Sequence, residues 1–472
     1  MHCLPDFFLR RSIIAWIVFF ILFLSCRTSI APSESQVSKK FSIEELERRT
    51  FNYFWELADP KNFQIPDRYP TLTFSSIAAT GFGLSAYIVG AERKYITREE
   101  AADRTLKTLK VLWHLPQGSD RDNLSGYKGF FYHFLTLDKA VRFKDVELSS
   151  IDTGLLMAGI LSAMSYYNQD NVIENSIEAY SDSLYRRVEW DWMYSDTATL
   201  SMGWHPEGGF IPSQWIGYNE AMILVIMAIG SPTHPLPAAA WDKWCDSYVW
   251  DKFEGYENLQ FDPLFGHQYS HVWIDFRGIQ DDYMSKKGID YFENSRRATL
   301  SNRAYCIKNP LGATGYNESC WGLTACDGPD NKKITVAGKP WQFFDYRARG
   351  ACSYQIVDDG TIAPTAAGGS YAFTPDLSHD ALKYMWETYS QDLTGEYGFK
   401  DAFNLTYITN ETPRGWFDID YLGIDQGPIL LMIENHQSGL LWNVMKKNPY
   451  IVAGLKKAGF KGGWLDAGRQ KN

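Results

Sequence analysis

The sequence predicts an all-α fold, a toroid in which an inner ring of helices is wrapped by an outer ring. Three observations carry that expectation. Some helical stretches are apolar on every side and belong inside, others are amphipathic and belong at a surface, and the two kinds alternate along the chain. Strand-like patterns are few, confined to residues 333–337 and 360–373, and long aromatic loops join the helices.

Taken in order, the chain begins with Arg10 and Arg11 ahead of an apolar run over residues 13–24 that stops at Ser25-Cys26. This has the form of a signal peptide. As a helix at ~1.5 Å per residue the run spans about 18 Å, short of a ~30 Å hydrocarbon core, so a permanent transmembrane helix is not expected. The segment Phe23-Leu24-Ser25-Cys26 resembles a bacterial lipobox, with Phe where Leu is usual. That resemblance implies lipidation at Cys26, export to the periplasm or cell surface, and membrane contact only through the anchor. The Ser-rich stretch 27–40 reads as a flexible tether. Residues 41–472 carry no linker and are expected to form one domain.

Within that domain, residues 43–57, 98–113, 171–190 and 286–306 keep their charges on one face, as outer helices do. Starts rich in small polar residues open the apolar segments. Ser75-Ser76-Ile77 and Ser149-Ser150-Ile151 form an internal repeat, and Tyr218-Asn219-Glu220, Pro375 and Asp425 begin three further segments. The stretch 253–277 reads as an aromatic loop, whose rings suit the apolar faces of sugars.

Composition narrows the function classes. With 46 basic and 56 acidic residues the net charge is −10, and no Lys/Arg run could neutralise a phosphate backbone, so nucleic acid is not an expected partner. Nucleophile-elbow, phosphate-loop and dinucleotide patterns are absent from the sequence, and neither a cofactor nor a metal is expected. Cys245, Cys306, Cys320, Cys326 and Cys352 are an odd set that cannot all pair, and their spacing specifies no disulfide.

Glycoside hydrolysis needs two carboxyl groups across the scissile bond, one protonated and one ionised. Acids at inner-helix mouths are the candidates. Asp152 follows Ser149 at capping-box spacing, so helix capping alone could explain it; the sister start Ser75-Ser76-Ile77-Ala78 has alanine there, so the helix start does not demand an acid. Glu220 opens a wholly apolar helix, and Glu147 either joins in catalysis or orients Asp152. Sugar contacts are expected from His205, Trp215 and Tyr218 around Glu220, from His267, His271, Trp273 and Asp275 in the aromatic loop, and from Asp281, Trp321 and Asp327. Asp282, Asp418, Asp420 and Asp425 are weaker candidates in similar loop contexts. His267 and His271, four residues apart, favour sugar hydrogen bonding over a metal.

Five separated blocks then point to a family: 147–156 (ELSSIDTGLL), 217–222 (GYNEAM), 265–278 (FGHQYSHVWIDFRG), 321–329 (WGLTACDGP) and 359–367 (DGTIAPTAA). Together they resemble the glucoamylase-like family of bacterial β-1,2-glucan hydrolases, over roughly residues 43–455. The resemblance implies an (α/α)6 barrel, inverting hydrolysis of β-1,2-glucan (endo-acting or releasing sophorose from chain ends), and acids at the positions of Glu147, Asp152 and Glu220. Two residues depart from it, Thr136 where the family more often has an acid and Cys326 where Ser is commoner. A non-catalytic surface glycan-binding protein and a phosphorylase on the same fold are the alternative expectations.

Overall fold

In the computed structural model, which describes residues 40–467, the helices in chain order are α1 (Ile43–Glu56), α2 (Ile77–Glu92), α3 (Arg98–His114), α4 (Ser150–Tyr166), α5 (Val172–Arg186), α6 (Met222–Gly230), α7 (Ala239–Cys245) and α8 (Phe265–Trp273). They continue with α9 (Asp282–Lys287), α10 (Tyr291–Lys308), α11 (Pro364–Gly368), α12 (Pro375–Leu393), α13 (Gly423–Gln437), α14 (Leu440–Met445), α15 (Pro449–Lys457) and α16 (Gly463–Ala467). Helices α2, α4, α6, α8, α11 and α13 form the inner ring, and α1, α3, α5, α7, α10 and α12 alternate with them outside, an (α/α)6 barrel.

Burial follows from composition. Helix α6 is apolar throughout and buried along its whole length, whereas α1 buries Leu46, Phe51 and Phe54 and turns Glu44 and Arg48 outward. Side-chain caps fix several starts: Ser42 for α1, Ser76 for α2, Thr97 with Glu100 for α3, Ser149 for α4 and Asn171 for α5. Each cap contributes about 1 kcal/mol.

Small residues let the inner ring close. A Cβ on Gly159 of α4 would lie 2.1 Å from the Gly81 carbonyl oxygen of α2, and Gly154 faces Leu224 of α6. The Ser270 hydroxyl of α8 donates to the Glu220 carbonyl and accepts from the Ile223 amide, joining α8 to the head of α6. Gln268 of α8 donates to the Ala366 carbonyl of α11; Gly368 abuts Ile429 of α13, and Gly427 abuts Phe82 of α2.

Short strands lead directly into inner helices: Ser75–Ser76 into α2, Leu148–Ser149 into α4 and Tyr421–Leu422 into α13. The middle one belongs to a five-stranded antiparallel sheet with Gly126–Tyr127, Phe130–Tyr132, Gly203–His205 and Gly209–Phe210. Strand Arg68–Tyr69 pairs with Tyr421–Leu422 across the seam where the ring closes.

Several expectations need correction. The stretch 253–277 holds a hairpin and inner helix α8 rather than a loop, and 360–373 holds one short strand followed by inner helix α11. Segment 286–306 is divided between α9 and α10, and the helix from Pro375 is an outer one. All five cysteines in the described residues are free. The expected signal peptide, Cys26 lipidation site and tether up to residue 39 lie outside the described residues. Among the described residues no helix is long and apolar enough to cross a membrane.

Candidate active site

Two groups of charged side chains gather at the N-terminal mouth of the inner ring. The first is built by the strands that feed α4. His133 follows strand Phe130–Tyr132, and its Nδ1 lies 2.8 Å from Glu147 Oε1 while its Nε2 lies 3.5 Å from Asp152 Oδ1. Asp152 sits in the first turn of α4, where the Ser149 hydroxyl accepts its amide and donates to its carboxylate. The capping relation is therefore real. Asp152 does not close onto the Ser149 amide, however, and its other oxygen faces His133. In α2 the cap falls on Ser76, so the residue equivalent to Asp152 is Ala79 rather than Ala78, again an alanine.

Glu220 stands two residues before α6, and its Oε2 is enclosed without a hydrogen-bond partner. Burial raises its carboxyl to about 7, and the charge of nearby Asp152 adds to the rise. Burial opposes the charge of His133, but Asp152 and Glu147 outweigh it and lift the imidazole to about 9. Burial also works against the charge of Glu147, yet the His133 hydrogen bond prevails and holds this carboxylate below its usual range. Near neutral pH the group thus combines a protonatable Glu220 with an ionised Glu147 on a cationic His133.

The second group lines the seam. Arg68 pairs with Asp67 at 3.1 Å and Asp327 at 2.6 Å, and Asp401 Oδ2 accepts the Asp327 amide at 2.7 Å. Asp418 accepts the amides of Ile419 and Asp420, Asp420 accepts that of Thr71, and Asp425 occupies the first turn of α13. Burial, reinforced by neighbouring carboxylates, raises Asp401, Asp418 and Asp425 above the usual carboxylate range. Tyr269 of α8 lies between the groups, within the fields of both Asp425 and Glu220. Tyr346, 52% exposed, hangs among Asp425, Asp401 and Asp67. Its loop is held from behind by the fully buried Arg349, which donates to the carbonyls of Phe344 and Asp345 and pairs with Asp359 at 2.8 Å.

The barrel fold agrees with what comparison with known proteins finds. A protein-family model described as "Putative glucoamylase" matches residues 212–449. A solved structure titled as a putative glucoamylase from Bacteroides uniformis is 33% identical, with a TM-score of 0.77, over 90% of this chain and 99% of that one. The chain belongs to this glucoamylase-like family. Another member, an endo-β-1,2-glucanase from Chitinophaga pinensis solved with sophorotriose and glucose, is 30% identical at a TM-score of 0.77, over 90% of this chain and 100% of that one. A curated relative from Parabacteroides distasonis, an exo β-1,2-glucooligosaccharide sophorohydrolase acting at the non-reducing end, is 32% identical over 449 residues. The match takes in 88% of the present glucoamylase-like chain and 57% of that relative's length.

The structure brings Glu147, Asp152 and Glu220 to one mouth, with His205 beside them, 3.2 Å from Arg142. Asp327 reaches the second group. The remaining expected sugar contacts are buried side chains engaged with the protein itself. Trp215 donates to Ser150 under the sheet, and Tyr218 packs against His267 and Tyr291 and bonds Ser295. His267 and His271 lie in the core, where burial drops them to about 4 and about 3 respectively, and Trp273 donates to Ser85 of α2. Asp275 is bound by Arg277 and Lys446 past the C-terminal end of α8, away from the mouth. Asp281 caps α9 and accepts from Trp241 and Tyr291, and Trp321 is fully buried. In this structure these side chains pack and bond within the barrel.

Sequence reasoning missed His133, Asp67, Arg68, Asp401 and Tyr346. The available signal was a polar residue beside aromatic or small ones, as in Tyr132-His133-Phe134 and Asp401-Ala402.

Proposed function

We propose that this chain is a glycoside hydrolase that cleaves β-1,2-glucan, with Glu220 as the general acid. The observation that carries the reading is the Glu220 carboxyl, half-buried with Oε2 enclosed and unpartnered, and pushed up to about 7 by desolvation and by the nearby charge of Asp152. Such a group can deliver a proton to a departing glycosidic oxygen near neutral pH. Activation of water falls to a carboxylate of the Glu147–His133–Asp152 group, in which His133 holds Glu147 below the usual carboxylate range. Substrate linkage is supported by the named activities of the relatives from Chitinophaga pinensis and Parabacteroides distasonis.

The test is incubation of the purified protein with linear β-1,2-glucan. New reducing ends are expected from the parent and not from Glu220→Gln; an inert parent would overturn the reading. A ladder of early products marks endo action, and a single disaccharide marks release from chain ends. The family resemblance supports inversion, which NMR of the first-formed anomer reads directly. We also infer export and anchoring through a lipid on Cys26, supported by the lipobox-like sequence. Cys26→Ser is expected to shift the protein from the membrane fraction to the soluble one.

A further inference from the structure

The acids at the seam outnumber their counter-charges. Asp327, Asp418 and Asp420 each direct a carboxylate oxygen into one small volume, all within 4.8 Å of one another. Asp401 is bound to the Asp327 backbone and adds a fourth carboxylate. The cations facing them are Arg68, already shared between Asp67 and Asp327, and Lys400, whose amine donates to the Asp392 carbonyl.

A second observation is independent of this crowding. Asp418 Oδ2, on a side chain 6% exposed, has no hydrogen-bond partner, although Oδ1 of the same carboxylate accepts the amides of Ile419 and Asp420. A buried carboxylate oxygen without a donor is costly unless a proton or a cation meets it. The His133–Glu147–Asp152 trio is equally compact but leaves no enclosed carboxylate oxygen unpartnered, because a cationic imidazole already sits between its acids.

We propose that Asp327, Asp418 and Asp420 form a site for a hard divalent cation at the closing seam of the barrel, with Asp401 adding negative charge behind them. The three donor atoms lie within 4.8 Å of one another, close enough for one hard cation to touch all of them at oxygen distances of about 2.0–2.6 Å. The donor set is all oxygen, as a hard cation requires. A bound ion would tie the 416–422 segment, which carries Asp418 and Asp420, to the block containing Asp327, and so clamp the closing seam of the ring.

The test uses the full chain after chelator treatment, titrated at pH 8 with CaCl2 against an NaCl control of equal ionic strength. A saturable rise of several degrees in Tm is expected, with calorimetry giving one Ca2+ per chain. Asp418→Asn/Asp420→Asn should lose both responses while unfolding cooperatively without metal. If that variant does not fold, Asp420→Asn alone takes its place and should weaken Ca2+ binding at least tenfold. Absence of a saturable response to Ca2+, Mg2+ or Mn2+ up to about 10 mM, above the ~10⁻³ M of weak calcium modules, overturns the site. So does an unchanged response in the folded variants.

Discussion

Glu220 places two demands on one side chain. Its carboxyl is raised from 4.5 to about 7 in the fold by burial and by Asp152. The neutral form is therefore the one the fold favours: this group's contribution to stability is present at low pH and is lost as pH rises from the unfolded value through about 7. By linkage the loss is on the order of 3 kcal/mol once both states are ionised. Glu220→Gln removes that loss, so its Tm at pH 8.5 should exceed the parent's, while its kcat on β-1,2-glucan should fall at least about 10²-fold, the lower range for removing a general acid. In the parent, kcat should decline as pH rises through about 7, and a flat profile to pH 9 would contradict the assignment. Glu220 and Asp152 were legible in the sequence because an acid at the head of an apolar helix is conspicuous. His133 was not, because its significance lies in partners at 147 and 152 that only the paired strands bring to it.

At the scale of elements, the tightest joint is the glycine crossing of α2 and α4. Gly159→Ala would press a methyl group onto the Gly81 backbone, and overpacking there should cost about 1–3 kcal/mol, read as a lowered midpoint in urea unfolding. The Tyr346 loop depends on Arg349 in a different way. Arg349→Met leaves Asp359 buried without its ion partner, at a cost of about 3–5 kcal/mol. Tyr346 should then lose its fixed place among the acids, and KM should rise in whatever fraction remains folded. Long elements such as α2 and α4 announced themselves by their spacing and capping serines. Helices α8 and α11 did not: the first has nine residues rich in His and aromatic rings, the second only five. Runs that short carry no helical period, and the aromatic content of 253–277, read as a sugar-facing lid, turned out to fill the core between inner and outer layers.

For the molecule as a whole, the six inner helices point their N-terminal ends toward one mouth where carboxylates are concentrated, and helix dipoles partly offset that charge. A neutral glucan gains nothing from the remaining negative field, so kcat/KM should stay constant between about 0.05 and 0.5 M salt, beyond which screening is essentially complete. A glucan carrying anionic substituents should be a poor substrate at low salt and improve as salt rises. The architecture was legible as alternating apolar and amphipathic segments, but the seam was not, since no local pattern says that Arg68 will pair with Leu422. That pairing also bears on how the protein comes into being. Asp67 and Arg68 emerge early from the ribosome, while Asp401, Asp418 and Asp425 emerge more than 300 residues later, so the mouth has only one bank until synthesis is nearly finished. A nascent chain or a product truncated before α13 would hold most of its helices yet have no working cleft, and activity would arrive all at once with the last strand.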